Sequence, residues 1–527
     1  MANSDSVEDS PSSKPARRST GSMELLLLIS VFVIATCGLI YELIAGTLAS
    51  YLLGDSVTQF STVIGCYLFA MGIGSWLSRY ISRQLLLVFV QVEILVGAVG
   101  GSSAAVLFLM FEHVDSFRVV LYFMVGLIGM LVGIELPLLL RILKDKLEFR
   151  DLVSKIFTFD YIGALFASIL FPLWLVPQLG LVKSSFLFGI LNVGVAIWLL
   201  YALRENIPLL NLHRVAAIST LCALMLGLVF ADPLVSLAEA DSYEGNVIYA
   251  ESTPYQRIVI TREHNDLRLF LNGNLQLNSH DEYRYHEALV HPALAALEMP
   301  RHVLIIGGGD GLALREVLKY SSVEHITLVD LDARMTKLFS TQPLLVHLNE
   351  GSLANDRLTL IHQDAFLWVK TNAVQARIES FDAIIVDVPD PSTFSIGKLY
   401  SITFFRELHK LLSPDGLLVV QSTSPWVARK TFWCVNNTIE QSGFYTAPYH
   451  TYVPSFGEWG YVIAGKRPYN PPTTFPANLR YVSADVLPAM FSFPKDMERI
   501  ETTIQRLDDQ ALVRYFDAEW GAYGSPN

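Results

Sequence analysis

Between residues 24 and 231 the chain consists largely of apolar side chains, in runs too long for the strands or helices of a water-soluble interior. The runs fall at 24–53, 58–78, 85–111, 117–140, 156–177, 181–203 and 213–231, each of a length that can cross a bilayer. Inside hydrocarbon every backbone N–H must find its partner within its own segment, so these runs read as helices. The expectation is an N-terminal α-helical transmembrane bundle of about seven spans over 23–235, behind a disordered Ser- and Pro-rich tail over 1–22. Mean hydropathy is +0.40 and 52% of residues are apolar, and the excess lies before residue 235. The remainder of the chain is more charged and reads as soluble.

Four acids sit inside apolar runs: Glu42, Glu93, Glu135 and Asp160. A carboxylate in a membrane is costly unless paired or hydrated, so such acids mark a cation path or sensing cavity, or else pair with Arg79, Arg141 or backbone. Cations accumulate on one side of the runs, at Lys14, Arg17, Arg18, Arg79, Arg83, Arg141, Lys144, Lys146, Arg150, Lys155, Arg204 and Arg214, against Arg118 and Lys183 on the other. The excess places the N-terminus in the cytoplasm and the chain in the cell (inner) membrane. Seven crossings would then carry the soluble half outside, where an adenosyl ligand is not expected. We favour a cytoplasmic soluble half. A net charge of −12 and the lack of a basic face exclude nucleic acid, and the scattered Cys37, Cys66, Cys222 and Cys434 suggest neither disulfides nor a metal site.

The soluble half centres on 302–311, His-Val-Leu-Ile-Ile-Gly-Gly-Gly-Asp-Gly. An unbroken apolar run, a glycine turn and a helix from Leu312 make a nucleotide-binding βα unit, with Gly307 and Gly309 letting backbone approach a ligand. Asp310 would repel a pyrophosphate, so the loop suits a cationic ligand such as the sulfonium of an S-adenosyl compound. Strand-like runs at 303–306, 325–330, 358–362, 382–387, 416–421 and 459–464 alternate with helices, the pattern of a doubly wound parallel sheet. Ahead of them 246–278 reads as antiparallel hairpins. Asp310, Asp330, Asp364, Asp387 and Asp390 end or follow strands and should converge at their carboxyl ends. Asp330 suits a ribose diol. Asp364 suits an adenine, or equally a helix N-cap. Clustered acids suit an amine substrate, and one of them can take its proton.

Residues 253–465 resemble the spermidine synthases, or polyamine aminopropyltransferases. The resemblance is carried by Tyr255-Gln256, Leu271-Asn272-Gly273-Asn274-Leu275-Gln276, Asp281-Glu282 with Tyr285-His286-Glu287, the glycine loop, Asp330-Leu331-Asp332, Asp364-Ala365 and Asp387-Val388-Pro389-Asp390-Pro391. It implies transfer of an aminopropyl group from decarboxylated S-adenosylmethionine, a co-substrate, to a diamine such as putrescine, without a metal or other cofactor. It implies Asp387 as general base, Asp390 and Tyr285 on the acceptor amine, Asp310 with Gln256 and His286 on the donor's aminopropyl end, Asp330 on the ribose, and Asp364 with Ala365 on the adenine. Gln276 and His450 are further acceptor-side candidates. The helical half resembles the bacterial branch with a membrane domain ahead of the synthase, and the family implies a homodimer.

Asn272 replaces the family's Asp, Leu312 its second glycine after Asp310, and His450 a tyrosine, so the acceptor is the least determined feature. The expected organisation is a hairpin substrate region over 236–300, a Rossmann-like S-adenosyl-type transferase domain over 301–466 and an extension over 467–527 with helix at 496–520. Two other functions compete: an S-adenosylmethionine-dependent methyltransferase, and a polyamine transporter or sensor with a non-catalytic synthase-like domain.

Overall fold

The computed structural model describes residues 18–53, 56–111, 117–144, 149–202, 209–234, 243, 245–375 and 380–524. The expected tail over 1–17, and Lys14, Arg17, Lys146 and Arg204 of the charge count, lie outside these residues. The chain divides into a helical unit ending near Ser242 and an α/β unit from Tyr243.

The helical unit contains α1 (Arg18–Leu53), α2 (Ser56–Leu77), α3 (Leu85–Phe111), α4 (Phe117–Leu143), α5 (Phe149–Leu170), α6 (Val176–Ala202) and α7 (Leu210–Val229). Residues 18–22, expected in the tail, belong to α1: past Pro15 no proline stops a helix from extending toward the N-terminus. Six helical stretches among the described residues are long and apolar enough to cross a membrane, not seven. The difference lies at 150–202, where two expected spans form one run of 53 residues through a π turn at Phe171–Leu175. A straight helix that long would measure about 80 Å, and this one breaks at Gly180, whose φ of 70° and ψ of 179° are not helical. Close packing follows from small residues: a Cβ on Gly101 would stand 2.9 Å from the Cα of Gly189, so α3 and α6 meet backbone to backbone.

The α/β unit opens with an antiparallel meander of β1 (Asn246–Ser252), β2 (Arg257–Glu263), β3 (Asp266–Leu271) and β4 (Asn274–Asn278). Ile258, Ile260, Leu269 and Leu277 form its buried face, against Leu312, Met335 and Phe339 of the following domain. The main sheet contains β5 (His302–Gly307), β6 (His325–Asp330), β7 (Leu358–His362), β8 (Phe381–Asp387), β9 (Leu412–Gln421), β10 (Tyr445–Val453) and β11 (Gly457–Gly465), in the order β10-β11-β9-β8-β5-β6-β7. β5 to β9 run parallel, and β11 and β10 close the edge antiparallel. Val303, Leu304, Ile305 and Ile306 are fully buried, as a central strand covered on both faces requires. Strand order reverses between β5 and β8, and that switch point opens the crevice in which such sheets hold ligands.

Sequence patterning misses β10, whose Pro448 and aromatic residues blur its alternation; it is held by its ladder to β11. In the extension, helix occurs at Leu487–Met490 and Ala511–Gly524 and not over 499–510. There Gln505 substitutes for regular structure, donating to the carbonyl of Gly397 and accepting from the backbone N–H of Leu512.

Candidate active site

The β5–β8 ladder sets Gly307 opposite Asp387, so the glycine loop and the fourth-strand acid are neighbours by register. Gly307 has φ +79°, and a Cβ there would stand 2.0 Å from the carbonyl oxygen of Asp387. The Gly308 N–H donates to that same oxygen at 3.0 Å. Gly309 donates to Asp330 Oδ2 at 3.0 Å, and a Cβ on it would meet that oxygen at 2.6 Å. Only glycine lets this loop lie against both acids.

Asp387 is half-buried, and the Tyr285 hydroxyl donates to its Oδ1 at 2.7 Å. Tyr285 and His286 come from the helix Glu282–Leu294, which brings them over the sheet. His286 Nδ1 lies 2.9 Å from Glu282 Oε2, and Arg315 grips Glu282 with two bonds of 3.0 and 2.9 Å. Burial by itself would lower the His286 pKa; the hydrogen bond and charge of Glu282, with Asp310 and Asp387 beyond, raise it to about 9. His286 is therefore a cation at neutral pH, facing two acids. Asp310 is raised to about 6: burial and then the negative charge of Asp387 push it up, against the opposing pull of His286. Asp387 is likewise raised by burial, against the opposing pull of His286 and Tyr285.

Asp390, raised by burial to about 6, accepts from Thr423 Oγ1 at 2.9 Å and from Gln421 Nε2 at 3.3 Å. Gln421 also donates to the Val388 carbonyl at 2.6 Å and to Tyr400 Oη at 2.8 Å, pinning the loop between the two acids. Thr423 holds φ +58°, a left-handed conformation sustained here by full burial. At the end of β6, Asp330 accepts from the N–H groups of Gly309 and Asp332. Gln256 Nε2 donates to Asp332 Oδ2 at 3.0 Å, so the meander is tied to this strand end.

The expected residues therefore fall into two sets. Tyr285, His286, Gly307, Gly309, Asp310, Asp330, Asp387 and Asp390 gather around the switch point, with Gln256 held beside Asp330 through Asp332. Asp364 with Ala365 stands at the start of the helix Ala365–Gln375, where Asp364 Oδ1 accepts from the Leu367 N–H at 3.1 Å and Oδ2 takes the Lys398 ammonium. That is the N-cap alternative realised in geometry. Gln276 is half-buried on β4, and no side-chain hydrogen bond among the described residues joins it to the acids. His450 is turned elsewhere: Nδ1 lies 2.8 Å from Glu458 and Nε2 2.9 Å from the Ser492 carbonyl. Alternation along β10 directs Tyr449 and His450 to opposite faces, and residue 450 meets the extension. Sequence reasoning missed Arg315, Gln421, Thr423 and Tyr400, none of which belongs to a strand-end acid motif. It also missed Trp520, whose indole N–H reaches Thr423 Oγ1 at 3.3 Å from the extension.

A parallel sheet with a glycine turn at its switch point, fronted by the carboxylates of Asp310, Asp330, Asp387 and Asp390, fits a transferase for an adenosyl donor carrying positive charge. A family model described as the spermine/spermidine synthase domain matches residues 282–475. Polyamine aminopropyltransferase of Leptospira interrogans is 50% identical over 498 residues, 94% of this chain and 99% of that one. Polyamine aminopropyltransferase 2 of Ralstonia nicotianae is 52% identical, covering 94% and 98%, and polyamine aminopropyltransferase 1 of Streptomyces coelicolor 41%, covering 97% and 98%. The chain is also similar to a crystal structure of spermidine synthase in complex with the transition-state analogue AdoDATO, at 27% identity and a TM-score of 0.44, covering 48% of this chain and 88% of that one. The chain belongs to the spermine/spermidine synthase family and is an aminopropyltransferase.

Proposed function

We propose that the chain is a membrane-anchored enzyme that moves the aminopropyl group of decarboxylated S-adenosylmethionine to putrescine, giving spermidine and methylthioadenosine. The observation that supports it most is the meeting of Asp387, Tyr285, Asp310 and His286 at the end of β5 and β8. The amine lone pair attacks the methylene next to the sulfonium, the C–S bond breaks with its electrons going to sulfur, and the displaced N–H proton passes to Asp387. A half-buried carboxylate with a raised pKa is a fitting acceptor for that proton. Asp390 and Tyr285 hold the acceptor, and Asp310 faces the donor's cationic end with His286 and Gln256 fixing its surroundings. Asp330 takes the ribose, and Asp364 with Ala365 borders the adenine. The work of the site is alignment of two cations that repel each other in water. The methyltransferase alternative leaves the Asp387–Asp390 pair without a role.

Membrane anchoring is supported by large apolar side chains on the outer surface of the helical unit, with Phe69, Leu173 and Val229 each more than 70% exposed. We place the α/β unit on the cytoplasmic side, where adenosyl donors are made, and the enzyme as a homodimer. The test is detergent-purified protein given decarboxylated S-adenosylmethionine and putrescine, with methylthioadenosine and spermidine quantified. Product with putrescine supports the reading. No product across putrescine, cadaverine, agmatine and spermidine overturns it.

A further inference from the structure

Within the helical unit Glu93 of α3 and Glu135 of α4 are 0% and 2% exposed. Among the described residues neither oxygen of Glu135 has a hydrogen-bond partner. Glu93 accepts a bond from Asn192 Nδ2 of α6 at 3.3 Å, and its other oxygen has none among the described residues. Two neutral polar atoms share the site and are equally orphaned: Asn192 Oδ1, and the hydroxyl of Tyr41 on α1. Tyr41 lies within range of the charge of both glutamates, and Glu135 within range of Glu93. Five buried oxygens of these side chains thus lack a hydrogen-bond partner among the described residues.

Such a set needs positive charge that brings donors with it, because an unpaired buried carboxylate is costly by several kcal/mol. Basic side chains of the helical unit are engaged elsewhere: Arg141 on the carbonyls of Ser78 and Ile81, and Lys183 on Asp232, while His213 bonds Gln91. Packing limits what can enter. A Cβ on Gly97 would stand 2.6 Å from Val193, and one on Gly100 2.7 Å from the Tyr41 ring. Among the described residues no group of three potential metal ligands is present. The ligand that fits without displacing a side chain is the proton.

We propose that Glu93, Glu135, Asn192 and Tyr41 form a proton-binding site inside the helical unit. Each glutamate takes one proton and becomes neutral, and the Glu93 carboxyl keeps the bond it accepts from Asn192 Nδ2. The other titratable groups facing the site are Cys37 and Glu42 of α1, Tyr67 of α2 and Asp160 of α5. Glu42 and Asp160 are only half-buried and lead from the surface toward Tyr67 and Glu135, so protons enter and leave through them. The site is separate from the strand-end acids and does not depend on the transfer chemistry.

The test is infrared spectroscopy on the full-length protein in lipid nanodiscs at pH 7, with glutamate carrying ¹³C in its carboxyl group. The label separates these carboxyls from the aspartates of the other unit. With Glu42→Gln in the background, the protein should show a ¹³C-shifted carbonyl band of protonated carboxyl, which Glu93→Gln and Glu135→Gln each reduce by about half and the triple variant removes. Glu93→Asp and Glu135→Asp should each convert one component to an unlabelled band, separating loss of the proton from loss of the fold. In D2O the wild-type band should shift, at least tenfold more slowly when Asp160→Asn and Glu42→Gln are combined. A wild-type spectrum with no labelled carboxylic band overturns the site, and exchange unaffected by the outer pair overturns the route. Aminopropyl transfer is assayed on the same samples: transfer within twofold in the Glu93 and Glu135 variants supports the separateness of the site, and its loss overturns it.

Discussion

Five glutamates among the described residues are no more than 3% exposed, and the two units treat them in opposite ways. In the α/β unit Glu282 is held by Arg315 and His286, Glu316 by Arg315, His291 and Lys319, and Glu287 accepts from the backbone N–H groups of Arg480, Tyr481 and Val482. In the helical unit Glu93 and Glu135 leave three carboxyl oxygens without a partner among the described residues. Equal burial therefore has different consequences. A bonded glutamate stays ionised and can aim a neighbour, as Glu282 does with His286, whereas an unbonded one must carry a proton or find a cation. The α/β unit uses its buried charge to fix geometry; the helical unit keeps its own available.

The contrast predicts where substitution hurts. Removing the base should have the largest effect: Asp387→Asn is expected to lower kcat about 10³-fold or more, read as methylthioadenosine formed. Gly307→Ala comes next, since its Cβ would enter the Asp387 carbonyl and its φ is positive. It should cost about 2–4 kcal/mol of stability, seen in denaturant unfolding, and most of the activity. Breaking the support of Asp390 is gentler. Gln421→Leu should raise the KM for putrescine about tenfold with a smaller change in kcat, and Thr423→Ser should stay near wild type.

A pH series sharpens the same contrast. Asp310 and Asp390, both raised to about 6, hold their protons more tightly folded than unfolded. The stability they contribute is present below pH 3.8 and lost as pH rises through 6. His286, raised to about 9, contributes stability that is full below pH 6.5 and lost as pH passes 9. Thermal midpoints measured from about pH 4 to 7 should fall less steeply in Asp390→Asn than in wild type. Activity should run the other way, declining on the acid side as Asp387 takes up a proton, with the limb above the ordinary carboxylate range. The smallest effect belongs to the helical unit, where Glu93→Gln should leave transfer within about twofold.

Local pattern revealed most of the sheet. Val303–Ile306 and the glycines after them can be little else than a central strand and its turn, and β5, β6, β7, β8 and β11 lie within two or three residues of the expected runs. The strand-end acids were legible because topology places the ends of parallel strands side by side. The partners that hold them were not: Gln421 and Thr423 lie more than thirty residues beyond Asp390, and Arg315 thirty-three beyond Glu282. Asp364 shows the converse, a motif residue whose oxygens cap a helix and pair with Lys398.

By itself the sequence determined the division into a helical and an α/β half, the strand–glycine–helix unit, and the acids that front it, because each follows from contiguous hydropathy or from spacing within one βα unit. Only the tertiary structure decided which side chains complete the site, that His450 bonds Glu458 and the Ser492 carbonyl, that one helical run of 53 residues breaks at Gly180, and that among the described residues Glu135 has no hydrogen-bond partner and Glu93 only Asn192. Each of those facts depends on contacts between distant segments, and a hydrogen bond between residues far apart in the chain leaves no periodicity to read.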